Sequence, residues 1–174
     1  MRYVPGVDMS TGSLGQGLST AVGMALGAKQ LGKSFITYAV VGDGELAEGQ
    51  IWEACMYAAA KNLDNLIVIV DYNKVQLDGT IKEILDTGSL EDKFSSFGFH
   101  VISIDGHNIE EISNAIDEAK ATKEKPTVIL ANAIKGKGIS FMEGKSQWHG
   151  KTPNEEEFKA AFEELYQRKK ELEG

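Results

Sequence analysis

Two stretches of sequence decide the fold: residues 35–44, FITYAVVGDG, and residues 66–73, LIVIVDYN. Each is a run of aliphatic, β-branched and aromatic residues that stops at glycine or polar residues, which is typical of a strand buried on both faces. Between them lies a segment, residues 46–61, whose apolar residues recur at helical spacing: Trp52, Cys55, Met56 and Ala59. Strand, helix and strand in this order predict two parallel strands joined by a right-handed crossover.

Strands and helices continue to alternate along the rest of the chain. The patterns predict helices over residues 14–31, 90–97 and 109–121, strands over 99–104 and 127–134, and a charged C-terminal helix capped by Asn154. We therefore expect an α/β fold, with a parallel sheet and helices on both faces. We also expect one domain over residues 1–174, which is incomplete at its N-terminus because it opens in loop-like sequence.

Composition excludes several classes of protein. The chain has 174 residues, with 18 Lys and Arg against 26 Asp and Glu, which gives a formal charge of −8. This acidic balance disfavours nucleic-acid binding. The single Cys55 cannot form an internal disulfide, which suits a reducing compartment. No apolar run approaches the ~18 residues of a membrane span, and residues 1–10 lack a signal-peptide pattern. These observations predict a cytoplasmic protein that binds neither nucleic acid nor membrane.

Polar residues follow the two buried strands. Asp43 lies between Gly42 and Gly44 at the end of the first, and Asn73 follows the second. Parallel strands joined by one helix end at the same edge of a sheet, so both side chains can reach one point. With a nearby backbone carbonyl, such as that of Val75, they would offer the hard oxygen ligands that magnesium takes beside phosphate oxygens. The alternative is a strand–turn–helix whose glycines only make the turn.

These residues also carry a resemblance to a known family. GDGELAEGQIWEA (42–54), followed by NLDNLIVIVDYNK (62–74), resembles the thiamine-diphosphate motif of transketolases. Further stretches resemble the same family in the same order: VDMSTGSLGQGLSTAVGMA (7–25), IDGHNIEEI (104–112), IKGKGIS (134–140) and SQWHG (146–150). The resemblance covers nearly the whole chain and implies the diphosphate-binding domain of a transketolase.

The resemblance implies cofactor and metal residues. Asp43, Asn73 and the Val75 carbonyl would bind Mg²⁺, or Ca²⁺ or Mn²⁺, and Gly44 and Asn73 would lie near the diphosphate of thiamine diphosphate. A further set would line the cofactor: Gly12, Ser13 and Leu14.

Catalytic and interface residues follow from the same resemblance. His149 would face both the diphosphate and the substrate, and with Glu48 it is an expected catalytic residue. Glu48 and Glu53 resemble carboxylates that meet their symmetry mates across a dimer interface. The residues alone leave Lys135 and Lys137 open between a contact with substrate phosphate and a solvated turn, and they favour structural roles for His100 and His107.

The implied reaction is the transfer of a two-carbon ketol unit between sugar phosphates, as in the pentose phosphate pathway. Compared with the family, the chain lacks a leading segment that supplies histidines, and it lacks the pyrimidine-binding domain. It therefore resembles the N-terminal half of a split transketolase, inactive alone, that works in a homodimer or a heterotetramer with a pyrimidine-domain subunit. The alternatives are deoxyxylulose-phosphate synthase, dihydroxyacetone synthase and a non-catalytic dimerising or cofactor-binding remnant.

Overall fold

The computed structural model describes residues 4–173, so the two ends of the predicted domain, residues 1–3 and 174, lie outside the described residues. The elements in chain order are α1 (Gln16–Gln30), β1 (Thr37–Gly42), a 3-10 helix (Gly44–Ala47), α2 (Gly49–Ala60), β2 (Leu66–Tyr72), β3 (Val75–Gln76), β4 (Gly79–Thr80), α3 (Ile81–Leu85), α4 (Leu90–Ser96), β5 (His100–Asp105), α5 (Ile109–Ala121), β6 (Thr127–Asn132), a second 3-10 helix (Ser146–His149) and α6 (Glu155–Glu173).

The main sheet has four strands in the order β1-β2-β6-β5, and all neighbouring strands are parallel. Gly42 at the end of β1 pairs with Asp71 near the end of β2. Asp71 in turn pairs with Ala131 of β6. The carboxyl ends of these strands therefore form one edge, which confirms the predicted α/β class and brings the loops after β1 and β2 together.

Helices cover both faces of the sheet, as predicted. The larger core cluster lies where α1, α2 and α4 pack on one face, and it includes Leu18, Ile51 and Phe94. The smaller cluster lies on the other face under α5, around Ile67, Ile129 and Ala115. No helix among residues 4–173 is long and apolar enough to cross a membrane.

The expectation that the first strand is buried on both faces is wrong. Residues of β1 alternate between buried and exposed, and Val40 and Tyr38 are 73% and 45% exposed. The reason is position: β1 is an edge strand of the described sheet, and α5 packs over β5 and β6 rather than over β1. A continuous apolar run therefore marks a strand, but it does not show that both faces are covered.

The predicted helix over residues 46–61 is interrupted at Glu48. This residue has an extended backbone (φ −74°, ψ 124°), so the 3-10 helix ends before it and α2 begins after it. The buried face also differs from the predicted one, because Met56 is 55% exposed while Ile51 and Ala54 are buried. Cys55 is fully buried, as expected, and burial raises the pKa of its thiol to about 12.

The polar loop after β2 contains elements that the sequence patterns did not predict. β3 and β4 form a two-stranded antiparallel ladder, and α3 follows directly with a capping box between Thr80 and Glu83. Strands of two residues are too short to show a hydrophobic period, so no pattern marks them. This hairpin matters because β3 begins at Val75, inside the candidate site.

Candidate metal and diphosphate site

A buried carboxylate forms the centre of the candidate site. Asp43 follows the last residue of β1 and is only 3% exposed. Its Oδ1 accepts a hydrogen bond of 2.8 Å from the Gly44 N–H, and its Oδ2 accepts one from the Lys74 N–H. Burial raises the pKa of this carboxyl, and the two backbone hydrogen bonds only partly oppose the shift. A nearby cation would offset the cost of keeping this charge away from water.

The turn after β2 reaches the same point. Lys74 has a positive φ of 65°, unusual for a residue with a side chain, and this conformation directs its N–H at Asp43. Asn73 and Val75 flank Lys74 in the sequence, and the Asn73 Oδ1 accepts a hydrogen bond of 3.0 Å from the Val75 N–H. The structure therefore brings together Asp43 and the turn that carries Asn73 and Val75, which is the juxtaposition that the sequence predicts.

The chemistry of this donor set fits a magnesium-like cation. One carboxylate, one amide oxygen and one backbone carbonyl are hard oxygen donors, and magnesium completes such a set with water and substrate phosphate. A site of this kind does not need a dense acidic cluster. Within residues 4–173 no group of three or more His, Cys, Asp and Glu is placed to hold a metal by itself. Water or phosphate oxygens would therefore have to complete the coordination of a cation bound here.

The predicted cofactor-lining residues lie in the loop that leads into α1. Gly12, Ser13 and Leu14 are exposed, and Gly15, the N-cap residue directly before α1, has a φ of 85°. The Gly15 N–H donates a hydrogen bond of 2.8 Å to Glu45 Oε1, while Glu45 Oε2 accepts one of 3.2 Å from the Gly42 N–H. Glu45 thus ties this loop to the strand end beside Asp43. Sequence reasoning missed Glu45 because its partners are defined only by the tertiary fold.

Gly44 is constrained by protein packing. A Cβ at this position would lie 2.9 Å from Gln76 Oε1 and 3.2 Å from Gln76 Cβ. The absence of a side chain therefore lets β3 approach the turn that carries Asp43. At Gly42, by contrast, a Cβ would have no atom within 4 Å. The space beside Gly42 is therefore open, whereas at Gly44 the hairpin already occupies the space that the missing side chain leaves.

His149 lies on the same side of the site as the hairpin. It is exposed and ends the 3-10 helix Ser146–His149, which packs against β3. Trp148 anchors this segment, because its ring lies 5.3 Å from that of Phe141 and its Nε1 donates a 3.2 Å hydrogen bond to the Phe141 carbonyl. The fold therefore places His149 near the turn containing Val75, with its side chain open to solvent.

The two predicted interface carboxylates are both exposed: Glu48 directly precedes α2, and Glu53 lies within it. Glu48 packs close to the α1 loop, since a Cβ on Gly15 would lie 3.1 Å from Glu48 Cβ. Glu53 lies one turn further along the helix and is also exposed. Neither carboxylate hydrogen-bonds Asp43 or Asn73 in the described chain. Their expected roles across an interface stay predictions.

Other candidate residues separate into two groups. Lys135 is half-buried, and its positive charge acts to lower the pKa of Asp43, so it lies on the side of the candidate site. His107 Nε2 accepts a 2.8 Å hydrogen bond from the Ile134 N–H, and His100 pairs with Glu118 at 2.7 Å. These histidine contacts give both residues structural partners, in agreement with the sequence-based interpretation.

Fold and site together define the class of open parallel α/β domains whose ligand sites lie at the carboxyl ends of their strands. The family model described as "Transketolase, thiamine diphosphate binding domain" matches residues 1–171. The chain therefore belongs to the transketolase family and corresponds to its N-terminal, thiamine diphosphate-binding domain.

Individual relatives agree with this assignment. The chain is 53% identical over 165 residues to the 6-deoxy-6-sulfo-D-fructose transketolase subunit SqwG of Clostridium sp. (strain MSTE9), covering 95% of this chain and 60% of that subunit. It is 46% identical over 161 residues to an apulose-4-phosphate transketolase subunit of Actinobacillus succinogenes, covering 92% and 58%. The crystal structure of Campylobacter jejuni transketolase superimposes with a TM-score of 0.86 at 37% identity, covering 92% of this chain and 26% of that one. The chain thus spans about three fifths of the curated subunits that it matches.

Proposed function

We propose that this chain is the diphosphate-binding part of a transketolase, which transfers a two-carbon ketol unit between sugar phosphates. The observation that carries the proposal is the buried Asp43 carboxylate, held by backbone hydrogen bonds from the turns on either side of it. Among residues 4–173 the hydrogen bonds to this anion come from backbone N–H groups and none comes from a side-chain cation. Such an anion is suited to a divalent cation that arrives with a phosphate group.

In this proposal each part of the site has a separate task. Asp43, Asn73 and the Val75 carbonyl would hold Mg²⁺, or Ca²⁺ or Mn²⁺ in its place. The positive charge of that cation would neutralise the diphosphate. Gly44 would lie near the diphosphate, and the loop of Gly12, Ser13 and Leu14 would line the cofactor. Lys135 adds a positive charge on the same side. Thiamine diphosphate, when bound, supplies the carbanion-stabilising chemistry that ketol transfer requires.

His149 is proposed to act at the substrate end. An exposed imidazole beside the hairpin can donate a hydrogen bond to a donor-sugar oxygen or hold a proton there, because one ring nitrogen donates while the other accepts. Glu48 is proposed to act with Glu53 at the interface with a second chain. Both are exposed within one chain and so are free to meet a partner.

A partner subunit is part of the proposal. Two relatives that this chain resembles are themselves subunits, and the chain spans 60% and 58% of their length. We propose that a separate pyrimidine-binding subunit completes the site, and that this chain assembles as a homodimer or, with that subunit, as a heterotetramer. Exposed apolar residues on α1 and α2, such as Met24 and Met56, support self-association, which sedimentation at micromolar concentration would detect. A stable monomer would contradict it. A cytoplasmic location stays a prediction.

An assay of several donor sugars would identify which sugar the enzyme cleaves. The matched subunits are named for 6-deoxy-6-sulfo-D-fructose and apulose-4-phosphate, and the higher identity is to the first. We therefore propose assaying 6-deoxy-6-sulfo-D-fructose, apulose-4-phosphate and xylulose-phosphate side by side with the pyrimidine-domain subunit present. Turnover of any donor contradicts the alternative of a non-catalytic remnant, and the preferred donor identifies the substrate class.

Calorimetry tests the binding half of the proposal. Thiamine diphosphate is titrated into the purified chain with Mg²⁺ and again with EDTA. We expect heat that depends on Mg²⁺, because the metal must neutralise the diphosphate next to an acidic site. A chain that is folded by circular dichroism yet gives no Mg²⁺-dependent heat would overturn the proposal.

A further inference from the structure

One carboxylate joins two backbone segments of the candidate site. Glu45 accepts hydrogen bonds from the N–H groups of Gly15 and Gly42, at 2.8 Å and 3.2 Å, with one oxygen for each. Gly15 is the last residue before α1 and follows the residues proposed to line the cofactor, and Gly42 directly precedes Asp43. We infer that Glu45 is a positioning residue that fixes the cofactor loop, residues 12–15, against the metal-binding turn at Asp43.

In the part of the chain that the structure describes, Glu45 is the acceptor that both N–H groups find. The N–H groups at the start of a helix have no partner inside the helix, and Gly15 is the N-cap residue of α1. β1 is an edge strand of the described sheet, so N–H groups on its outer side have no neighbouring strand. A carboxylate accepts through two oxygens and donates nothing, so Glu45 can satisfy both groups at once.

The geometry leaves little freedom between the joined segments. Gly15 has a φ of 85°, a conformation that favours glycine, and a Cβ there would lie 3.1 Å from Glu48 Cβ. The loop therefore packs directly against the residues that follow the Asp43 turn. Loss of the Glu45 bridge would let the loop and the turn move relative to each other, although neither loses a residue that touches the ligand.

This inference rests on the proposed function and makes a graded prediction. Glu45→Ala removes both acceptors, and the isosteric Glu45→Gln keeps one oxygen but places an NH₂ group against the second N–H. We expect the dissociation constant for thiamine diphosphate with Mg²⁺ to rise about tenfold in Glu45→Ala, as for outer-shell partners of other metal sites, and less in Glu45→Gln. If Glu45→Ala fails to fold, the isosteric variant carries the test.

Gln50→Ala is the matched control. The Gln50 side chain also connects α1 to α2, through hydrogen bonds with Gln16 and Ser19, but it does not touch the N–H of Gly15 or Gly42. We expect its dissociation constant to equal that of the wild type. An equal loss of affinity in Gln50→Ala and Glu45→Ala would show that any loosening of α1 against α2 has the same effect, which would overturn a specific role for Glu45.

Amide hydrogen exchange separates this inference from the proposed function. In the chain without ligand, the amides of Gly15 and Gly42 should exchange slowly, and both should exchange faster in Glu45→Ala but not in Gln50→Ala. Unchanged exchange of either amide would overturn the bridge. If the wild type shows the bridge but binds no thiamine diphosphate, the proposed function fails while the structural part of the inference stands. If it binds and Glu45→Ala binds equally well, the positioning role is wrong.

Discussion

Replacing Asp43 by alanine should strongly weaken the Mg²⁺-dependent binding of thiamine diphosphate. Asp43 is the only carboxylate among the proposed cation ligands, and it is buried at the junction of the two turns. Its removal leaves the neutral oxygens of Asn73 and Val75, and we expect Mg²⁺-dependent binding of thiamine diphosphate to weaken by about 100-fold or more. Loss of a residue that only supports a metal ligand lowers metal affinity by about 10- to 100-fold, and loss of a direct ligand should cost at least the upper value. Asn73→Ala removes one neutral oxygen and should cost about tenfold.

The expected size of the effect can be read as a shift in melting temperature. A ligand present at 100 times its dissociation constant stabilises the folded chain by about 2.7 kcal/mol. In a chain of 174 residues, each kcal/mol raises the melting temperature by about 2–4 °C, so the wild type should gain about 5–11 °C. A 100-fold weaker dissociation constant leaves about 0.4 kcal/mol at the same concentration, or about 1–2 °C, in Asp43→Ala.

Differential scanning fluorimetry with Mg²⁺ and thiamine diphosphate measures these shifts. Asp71→Ala is the control, because Asp71 is an exposed carboxylate that pairs with Gly42 at the same sheet edge and whose charge raises the pKa of Asp43. We expect it to keep the wild-type shift. The reasoning is refuted if Asp43→Ala keeps the full shift, or if Asp71→Ala loses as much of it.

Three further predictions concern the core, the cysteine and activity. Phe94→Ala should lower the free energy of unfolding by about 3–5 kcal/mol in urea titrations, because Phe94 is fully buried between the rings of Trp52 and Phe99. A loss below about 1 kcal/mol would contradict this packing. Cys55 should resist a thiol reagent at about pH 8 until the chain unfolds, because burial raises its pKa to about 12 and keeps the thiol protonated; rapid labelling of the native chain would count against it. The chain alone should form no sedoheptulose-phosphate from xylulose- and ribose-phosphate, and addition of a pyrimidine-domain subunit should restore turnover. Robust activity of the chain alone would be incompatible with a need for that partner.

Much of the fold is predictable because the hydrophobic periods are local. The helix over 109–121 has the bounds expected from its spacing, and the four main strands all form where apolar runs occur. The convergence of Asp43 and the turn at Asn73 follows from one rule, that neighbouring parallel strands end at the same edge. The position of the candidate site is therefore predictable from strand order alone.

The remainder depends on tertiary contacts that leave no local pattern. The exposed face of β1 reflects which strands α5 covers, and the apolar sequence of the strand does not contain that information. The interruption at Glu48 is a backbone change within a helix-like pattern. In the sequence, Glu45 is one more acidic residue of a surface turn, and only the fold brings Gly15 next to it.

A crystal structure of the chain with thiamine diphosphate and Mn²⁺ would test the central claim most directly, because manganese gives an anomalous signal that locates the cation. We expect one anomalous peak at the edge of the sheet, within coordination distance of an Asp43 carboxylate oxygen, Asn73 Oδ1 and the Val75 carbonyl oxygen, with diphosphate oxygens completing the shell. A cation bound at Asp71 or elsewhere, or a diphosphate bound away from the Asp43 turn, would contradict it.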